Sequence, residues 1–403
     1  MPSTTTTVLL AALAVYVGIC SALRFHFERA MRKKFNYPDR ESLSRMTNDD
    51  AQSILEYIVT REFPYLYKLA LQFAIFKVRC QAEGENWRED WQFSLNPPTS
   101  PRCLKAIARM NYLHSTYKAA GRISNADFLY TLAVCIMEPI RFMRLYEWRP
   151  LNDMEACAIG TFWKSIGDAM QIEYKGYLSR AETGWRDGLD FAEDITAWAK
   201  GYEVECMKPA VSNTKPAEQL VELLLFHYPA VMKPFLLEVL TVLMGDRVRE
   251  AFLWVWFIMW TWRWELADAV NRYPEPGIVA ALVAFLGLNA RRLVLRFLLP
   301  PRFKNFEYFS EPDPTTGRIY HWDYLVHPWY YKPTLWSQWG PMGLMTRLVG
   351  GTLPGAHGDM AKGFLTEDIG PWNRMGRGAL EMGADEERLR KERVSACPFA
   401  TRV

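Results

Sequence analysis

The chain has 403 residues, of which 50% are hydrophobic, 14% aromatic and 23% charged. This composition supplies a large core and excludes a disordered segment or a small disulfide-stapled scaffold. The net charge of +3, from 48 basic and 45 acidic residues, is too small to favour a nucleic-acid-binding protein. Seven dispersed cysteines without a C-x-x-C pair exclude the usual zinc-ribbon spacing. The 16 Trp, 19 Tyr and 22 Phe predict a protein that encloses a flat apolar group, lies against a membrane, or does both.

Residues 4–23 form an uncharged run that is long enough for one transmembrane helix. Basic residues follow this run and none precedes it: Arg24, Arg29, Arg32, Lys33 and Lys34. The positive-inside rule therefore places the rest of the chain in the cytosol. A cleaved signal peptide is the alternative, although its charges usually precede the apolar stretch. The chain has no N-x-[ST] sequon, which agrees with a body outside the lumen.

After a basic juxtamembrane segment at residues 24–48, residues 49–299 are predicted to form a helical catalytic domain. Ser100 before Pro101 is a typical helix start, because a hydroxyl N-cap precedes a proline at the first helical position. Gly121 is the predicted end of that helix. His114 lies on its apolar stripe, which includes Ile107 and Met110.

The next two helices are predicted from their caps and their apolar faces. Asn125 is expected to cap a helix that Pro139 kinks or ends, since proline removes a backbone donor. Asn152 or Asp153 is expected to cap a third helix that carries Trp163 on its apolar face. Two further helices are predicted at residues 216–227 and 236–251.

Two later apolar stretches, at residues 251–262 and 276–290, are short for a membrane crossing. Tryptophans crowd the first, and arginines follow the second. Both features are typical of a helix that lies at the membrane interface, and a helix buried in the core is the other open interpretation. We favour these two interpretations over a second crossing.

No strand-like alternation persists along the chain, so the predicted fold class is all-α, with one N-terminal transmembrane helix. Residues 300–403 differ from the body, because Pro300 and Pro301 break the helical pattern. Pro, Gly, Tyr and Trp then dominate, as in HPWYYKPTLWSQWGP. This segment is predicted to be an irregular extension packed on the helical domain. Only residues 383–391 are expected to form a charged, solvated helix.

The chain lacks the sequence motifs of several common enzyme classes. There is no G-x-G-x-x-G, G-x-S-x-G or H-E-x-x-H motif, and the six histidines are too dispersed for a multi-histidine metal site. His114 stands out because a mid-helix imidazole on an apolar stripe needs a hydrogen-bond partner or a metal. A core histidine that bonds a carbonyl or carboxylate is the ordinary interpretation. A haem ligand is the alternative, since haem iron needs only one strong axial ligand and a large apolar slot.

At these residues the sequence resembles a known family. Residues 108–172, and above all the parts around His114 and Glu147-Trp148-Arg149, resemble the fungal ER-bound oxygenases of the mpaB type. These proteins share a catalytic domain with the rubber, or latex-clearing, oxygenases. The resemblance continues through residues 184–188 and 318–355, so it covers most of the chain.

The resemblance implies an all-α domain that binds one haem b and uses O2 to cleave a carbon–carbon double bond in an isoprenoid chain. It places the family's axial histidine at His114. It also implies a lipophilic, prenylated substrate, a role in secondary metabolism, and an ER anchor with a cytosolic domain. No residue beyond the iron ligand is assigned to catalysis.

Other residues matched by the resemblance have two open roles each. Arg109 and Lys118 are candidates for binding a haem propionate. The alternatives are that Arg109 pairs with Glu147 and that Lys118 is a solvated helix lysine. Glu147 and Arg149 are expected to form an ion pair that fixes the scaffold. Asp168 is expected to accept a hydrogen bond from the backbone or from a tryptophan N–H.

One family feature is absent from the sequence. The family carries an Arg-x-x-(Lys or Asp)-Thr pattern upstream of the axial histidine, on the distal side of the haem. Between Arg61 and His114 no arginine is followed four residues later by threonine, and neither Arg79 nor Arg88 fits. Because distal donors control oxygen activation, the alternative function is a catalytically inactive haem- or lipid-binding membrane protein.

Overall fold

The computed structural model describes residues 4–78, 96–97, 99–208, 213, 218, 221–244, 246–251, 276–322, 324, 326–356, 361–392 and 397–399. These parts of the chain are mostly helical and contain isolated β-bridges but no strand. The all-α prediction is therefore confirmed. The distal gap, with Arg79 and Arg88, lies outside the described residues, as does nearly all of the tryptophan-rich run at 251–262. Of the predicted helix at 216–227, residues 218 and 221–227 are described, and residues 221–224 are helical.

Helix α1, Thr4–Phe35, has two parts with different surroundings. Its apolar first half is exposed, whereas Cys20 and Arg24 in the second half are buried against the body. The Arg24 guanidinium donates to the carbonyl oxygen of Leu299 at 2.7 Å and lies over the Trp148 ring. The predicted N-terminal apolar helix is confirmed, and its C-terminal half is packed onto the helical domain.

Seven helices build the body that follows: α2 Arg40–Leu43, α3 Asn48–Tyr57, α4 Pro64–Val78, α5 Pro101–Ala119, α6 Asn125–Tyr146, α7 Asp153–Ala169 and α8 Gly188–Cys206. A π-helical turn, Ile58–Glu62, joins α3 to α4. Helix α4 packs along α6, and α7 lies between α3 and α8. Their apolar faces form one continuous core that includes Phe142, Phe162 and Phe191.

The helix starts follow local sequence rules closely. Ser100 caps α5 by accepting from the Cys103 N–H, and Asn152 caps α7 by accepting from the Glu155 N–H, both as predicted. The cap of α6 is Ser124 rather than Asn125, because Ser124 forms a reciprocal capping box with Asp127. Pro139 lies inside α6 and does not end it.

Three further helices are α9 Lys233–Met244, α10 Asp246–Ala251 and α11 Ile278–Leu293, the last continued by a π-helical turn, Val294–Leu298. Helix α11 together with its π-helical turn, Ile278–Leu298, is long and apolar enough to cross a membrane, and so is α1. Only Ala280 and Ala284 of α11 are buried. The interpretation of this stretch as a buried core helix is therefore wrong.

The C-terminal segment contains short helices within irregular chain: α12 Leu335–Trp339, α13 Pro341–Leu348 and α14 Ala379–Lys391. Single 3-10 turns occur at Thr366–Asp368 and Trp372–Arg374. Helix α14 packs along α5, with Met382 and Leu389 buried, so the predicted charged helix exists but one of its faces is not solvated. Ile319, Phe364 and Ile369 form a second small core that contacts α5. The segment thus packs on the helix that carries His114.

Candidate functional site

Helix α5 carries the candidate site near its exposed C-terminal end. Its first half is buried in the main core through Cys103, Leu104 and Ile107. Beyond Met110 the helix becomes partly exposed, and Tyr117 and Lys118 in the last turn reach the surface. His114 lies at this transition, where a side chain can be half-buried and still be approached from outside.

The His114 ring is held among apolar groups. Its Nδ1 atom is buried and has no hydrogen-bond partner among the residues that the structure describes. The edge of the Phe128 ring lies close to it, with ring centroids 5.1 Å apart at 70°. Desolvation lowers the pKa of His114 to about 4, so the imidazole is neutral at physiological pH. A neutral imidazole is the form that binds a metal.

The ordinary interpretation of His114 required a carbonyl or carboxylate partner. Within the described parts of the chain the buried Nδ1 of His114 forms no such bond. An unsatisfied buried polar atom costs free energy, typically about 1–3 kcal/mol. The ring is therefore a candidate ligand rather than a satisfied core histidine.

Arg109, five residues earlier on α5, has the opposite surroundings. Its side chain is 1% exposed and donates hydrogen bonds to the carbonyl oxygens of Ile369, Arg374 and Arg377. The Nε–Ile369 and Nη2–Arg374 distances are 2.8 and 2.9 Å. Each of these carbonyls belongs to the C-terminal segment, so Arg109 fastens that segment to α5.

The expected pairing of Arg109 with Glu147 is wrong, because Glu147 binds Arg291 at 2.8 Å. The guanidinium is also committed to backbone carbonyls, which leaves the propionate role of Arg109 without support from the geometry. Lys118 is different. It is exposed in the last turn of α5, one turn beyond His114 on the same side of the helix.

More contacts fasten the C-terminal segment to α5 near His114. The Asn111 amide donates to an Asp385 carboxylate oxygen at 2.7 Å, and Arg374 donates to the Thr116 hydroxyl at 3.0 Å. Arg388 of α14 donates at 2.8 Å to the carbonyl of Ala169 at the end of α7, to which the Asn111 amide of α5 also donates. Sequence reasoning missed these contacts of the C-terminal segment because each joins residues more than two hundred positions apart, for which no local pattern exists.

The predicted Glu147–Arg149 ion pair is not formed. Arg149 instead makes a bidentate pair with Glu155 at 2.7 and 2.8 Å and lies 3.4 Å from Glu62. The Tyr57 hydroxyl donates to Glu62 at 2.8 Å. Burial raises the pKa of Glu62, while the nearby guanidinium opposes that shift. The scaffold role of Arg149 fits this geometry, with different partners.

Asp168 also has a different partner from the one expected. Its carboxylate accepts two hydrogen bonds from the Lys164 ammonium, each 2.7 Å long, rather than one from a tryptophan or the backbone. Both groups lie on α7, one helical turn apart, which is the spacing at which opposite charges meet. This contact belongs to the scaffold.

The described residues contain no group of three or more His, Cys, Asp or Glu side chains that could hold a metal ion. This finding leaves a haem unaffected, because one histidine suffices as its protein ligand. The half-buried neutral ring of His114, with Nδ1 unpartnered and Phe128 beside it, fits an axial ligand. Lys118 supplies an exposed cation one turn away.

Three curated fungal proteins resemble the chain. It is 34% identical to the ER-bound oxygenase mpaB' of Penicillium brevicompactum over 420 residues, which cover 97% of this chain and 94% of that protein. It is 31% identical to mpaB of the same species, over 85% and 84% of the two chains. Identity to mpaB of Penicillium roqueforti (strain FM164) is 36%, over 60% of this chain and 88% of the relative. No protein-family model and no solved structure matches the sequence.

Proposed function

The chain belongs to the family of ER-bound oxygenases that includes mpaB and mpaB', and from this premise we propose that it is a haem-dependent oxygenase of lipophilic isoprenoid compounds. Its reaction would cleave or oxygenate a carbon–carbon double bond in a prenylated small molecule of secondary metabolism. O2 is the co-substrate in this proposal, and haem b is the cofactor.

One observation carries the haem proposal. His114 is a half-buried, neutral histidine whose Nδ1 has no partner among the described residues. A buried polar group without a partner calls for an explanation, and a bound metal is one that a neutral imidazole on an apolar stripe allows. A bound iron would give the ring a partner through one of its nitrogens.

The residues around His114 have distinct proposed roles. When bound, haem iron supplies the capacity to bind and activate O2. Phe128 fixes the ring from the side of α6 and keeps water from it, and Lys118 neutralises a haem propionate. Arg109 is a positioning residue, since it holds the C-terminal segment against the helix that carries His114.

The membrane context agrees with a lipophilic substrate. The relatives are named ER-bound, and α1 is an exposed apolar helix, so the chain associates with the ER membrane. We propose that α1 crosses the membrane once and that the basic residues after it keep the helical domain in the cytosol. A substrate dissolved in the bilayer would then reach the domain without crossing water.

The inactive haem- or lipid-binding protein is the second candidate. The alignment with mpaB' spans 420 residues but includes only 97% of the 403 residues of this chain, so the relative has residues without a counterpart here. This difference is consistent with the missing distal pattern before His114. The two candidate functions differ in one property: only the oxygenase is expected to consume O2 and convert a substrate.

The proposal is tested by oxygen uptake and product analysis. Full-length protein in nanodiscs, supplied with haem, is incubated with squalene or a geranylated phenol while dissolved O2 and carbonyl products are measured. We expect haem in the purified protein, O2 consumption, and loss of both in His114→Ala. His327→Ala, at an exposed histidine, is the matched control and should behave as wild type.

Haem in the protein without O2 consumption on any prenylated probe would favour the inactive candidate. A protein that binds no haem would contradict the oxygenase and the haem-binding form of the second candidate.

A further inference from the structure

Helix α11 has two opposite faces of different character. One face is apolar and exposed, with side chains between 52% and 79% accessible: Ile278, Val279, Leu282, Phe285, Leu286 and Leu293. At 100° per residue these positions fall on one side of the helix. A contiguous exposed apolar surface of this kind marks an interaction site.

The opposite face of α11 is attached to the helical domain along its whole length. Ala280 and Ala284 are buried there, where α11 packs against α9. Nearer the C-terminal end, Arg291 binds Glu147 at 2.8 Å, and Leu295 packs against the main core. Because residues of the helical domain cover this side of α11 near both of its ends, a crossing α11 would carry them into the bilayer.

The end of α11 lies beside the membrane helix α1. The Tyr16 hydroxyl donates to the carbonyl of Leu298 at 2.8 Å, and Arg24 donates to the carbonyl of Leu299 at 2.7 Å. Tyr16 precedes Arg24 by about 12 Å along the helix axis, at 1.5 Å per residue. The end of α11 is therefore near the level at which α1 leaves the bilayer, and an interfacial helix is buried about 5–10 Å.

Arg296 provides the charge that such a location requires. It is exposed at the end of α11, with its guanidinium 5.8 Å from the Phe25 ring of α1. An arginine at this level can reach lipid phosphates while its stem covers apolar surface.

We propose that the exposed face of α11 lies in the interface of the ER bilayer, on the side that holds the helical domain, and forms with α1 a two-helix membrane attachment. Helix α1 crosses the bilayer, whereas α11 lies along its surface. The helical domain is then held against the membrane in one orientation, which attachment through α1 alone would not fix.

Photo-cross-linking of the full-length protein tests this attachment. Phe285 is replaced by p-benzoylphenylalanine, and the protein is irradiated in vesicles of phosphatidylcholine, phosphatidylethanolamine and phosphatidylinositol. Leu10 of α1 and Leu380 of the charged helix α14 are the positive and negative control positions. We expect lipid adducts at 285 and 10 but not at 380. Adducts at 10 without adducts at 285 would overturn the proposal.

Sequon mapping in microsomes distinguishes a surface helix from a crossing helix. Arg122→Asn creates a sequon with Ser124 before α11, and Pro314→Asn creates one with Thr316 after it; all four residues are exposed. A sequon in an N-terminal tag reports on the other side of α1. We expect the same glycosylation state at 122 and 314, whichever side the domain occupies. Opposite states would show that α11 crosses the membrane and would overturn the proposal.

Discussion

Arg109 and His114 lie on the same helix, α5, but their side chains differ in whether their polar atoms have hydrogen-bond partners. Arg109 is buried with its donors directed at three backbone carbonyls of the C-terminal segment. His114 is half-buried, with Nδ1 facing no partner among the described residues. The two groups differ in what stabilises them: Arg109 is satisfied within the folded chain, whereas in the proposed function His114 would gain its partner only when a ligand is bound.

The side of α5 that contacts the C-terminal segment gives the largest expected change in stability. Arg109→Met should lower the free energy of unfolding by about 3–5 kcal/mol, because it leaves three carbonyls without donors and removes the link to the C-terminal segment. The measurement is chemical unfolding in detergent, with Arg122→Met at an exposed position as the control.

The two variants should differ in stability but not in haem bound per folded molecule. Haem loss in Arg109→Met without any loss of stability would contradict the structural role of Arg109 and place it in the haem site.

The burial of His114 predicts how the free energy of unfolding of the haem-free protein depends on pH. Folding lowers the pKa of His114 from 6.5 to about 4, so between these values the unfolded chain binds a proton that the folded chain does not. The free energy of unfolding should therefore decrease as the pH falls from 6.5 to 4, by no more than about 3 kcal/mol, and this contribution should stay constant below pH 4.

The change is measured as the difference in pH dependence between wild type and His114→Gln, which cannot titrate. If the free energy of unfolding changed equally with pH in the two proteins, the ring would not be held in a desolvated environment.

Lys118 gives the smallest expected effect. Because it is exposed, its pairing with a haem propionate should be worth about 0.5–1 kcal/mol, or a two- to fivefold increase in haem Kd in Lys118→Gln. Lys391→Gln, at another exposed helix end, is the control. The comparison uses haem titration at low salt, and equal Kd values for both variants would remove Lys118 from the site.

The sequence predicted those parts of the fold that depend on local chemistry. Ser100 and Asn152 cap their helices as expected, since a cap requires only a side chain and the next turn of backbone. Ser124 caps α6 instead of Asn125 because its backbone N–H also donates to the Asp127 carboxylate, a local contact that a search for single cap residues does not include.

The partners of buried charges could not be predicted in the same way. Arg149 was expected to bind Glu147, but it binds Glu155 and Glu62, while Glu147 binds Arg291. Which acids and bases meet depends on how helices distant in sequence pack together. For the same reason, the sequence identified Arg109 as a special residue but assigned it no bond to the C-terminal segment.

The absorption spectrum of a His114 variant tests the central claim, that His114 is the ligand of a haem iron. We predict a Soret band in purified wild-type protein, its loss or a large shift in His114→Gly, and its recovery when imidazole is added to the variant. Imidazole would occupy the space left by the side chain. An unchanged Soret band in His114→Gly without imidazole would contradict the account, because the iron would then have a different ligand.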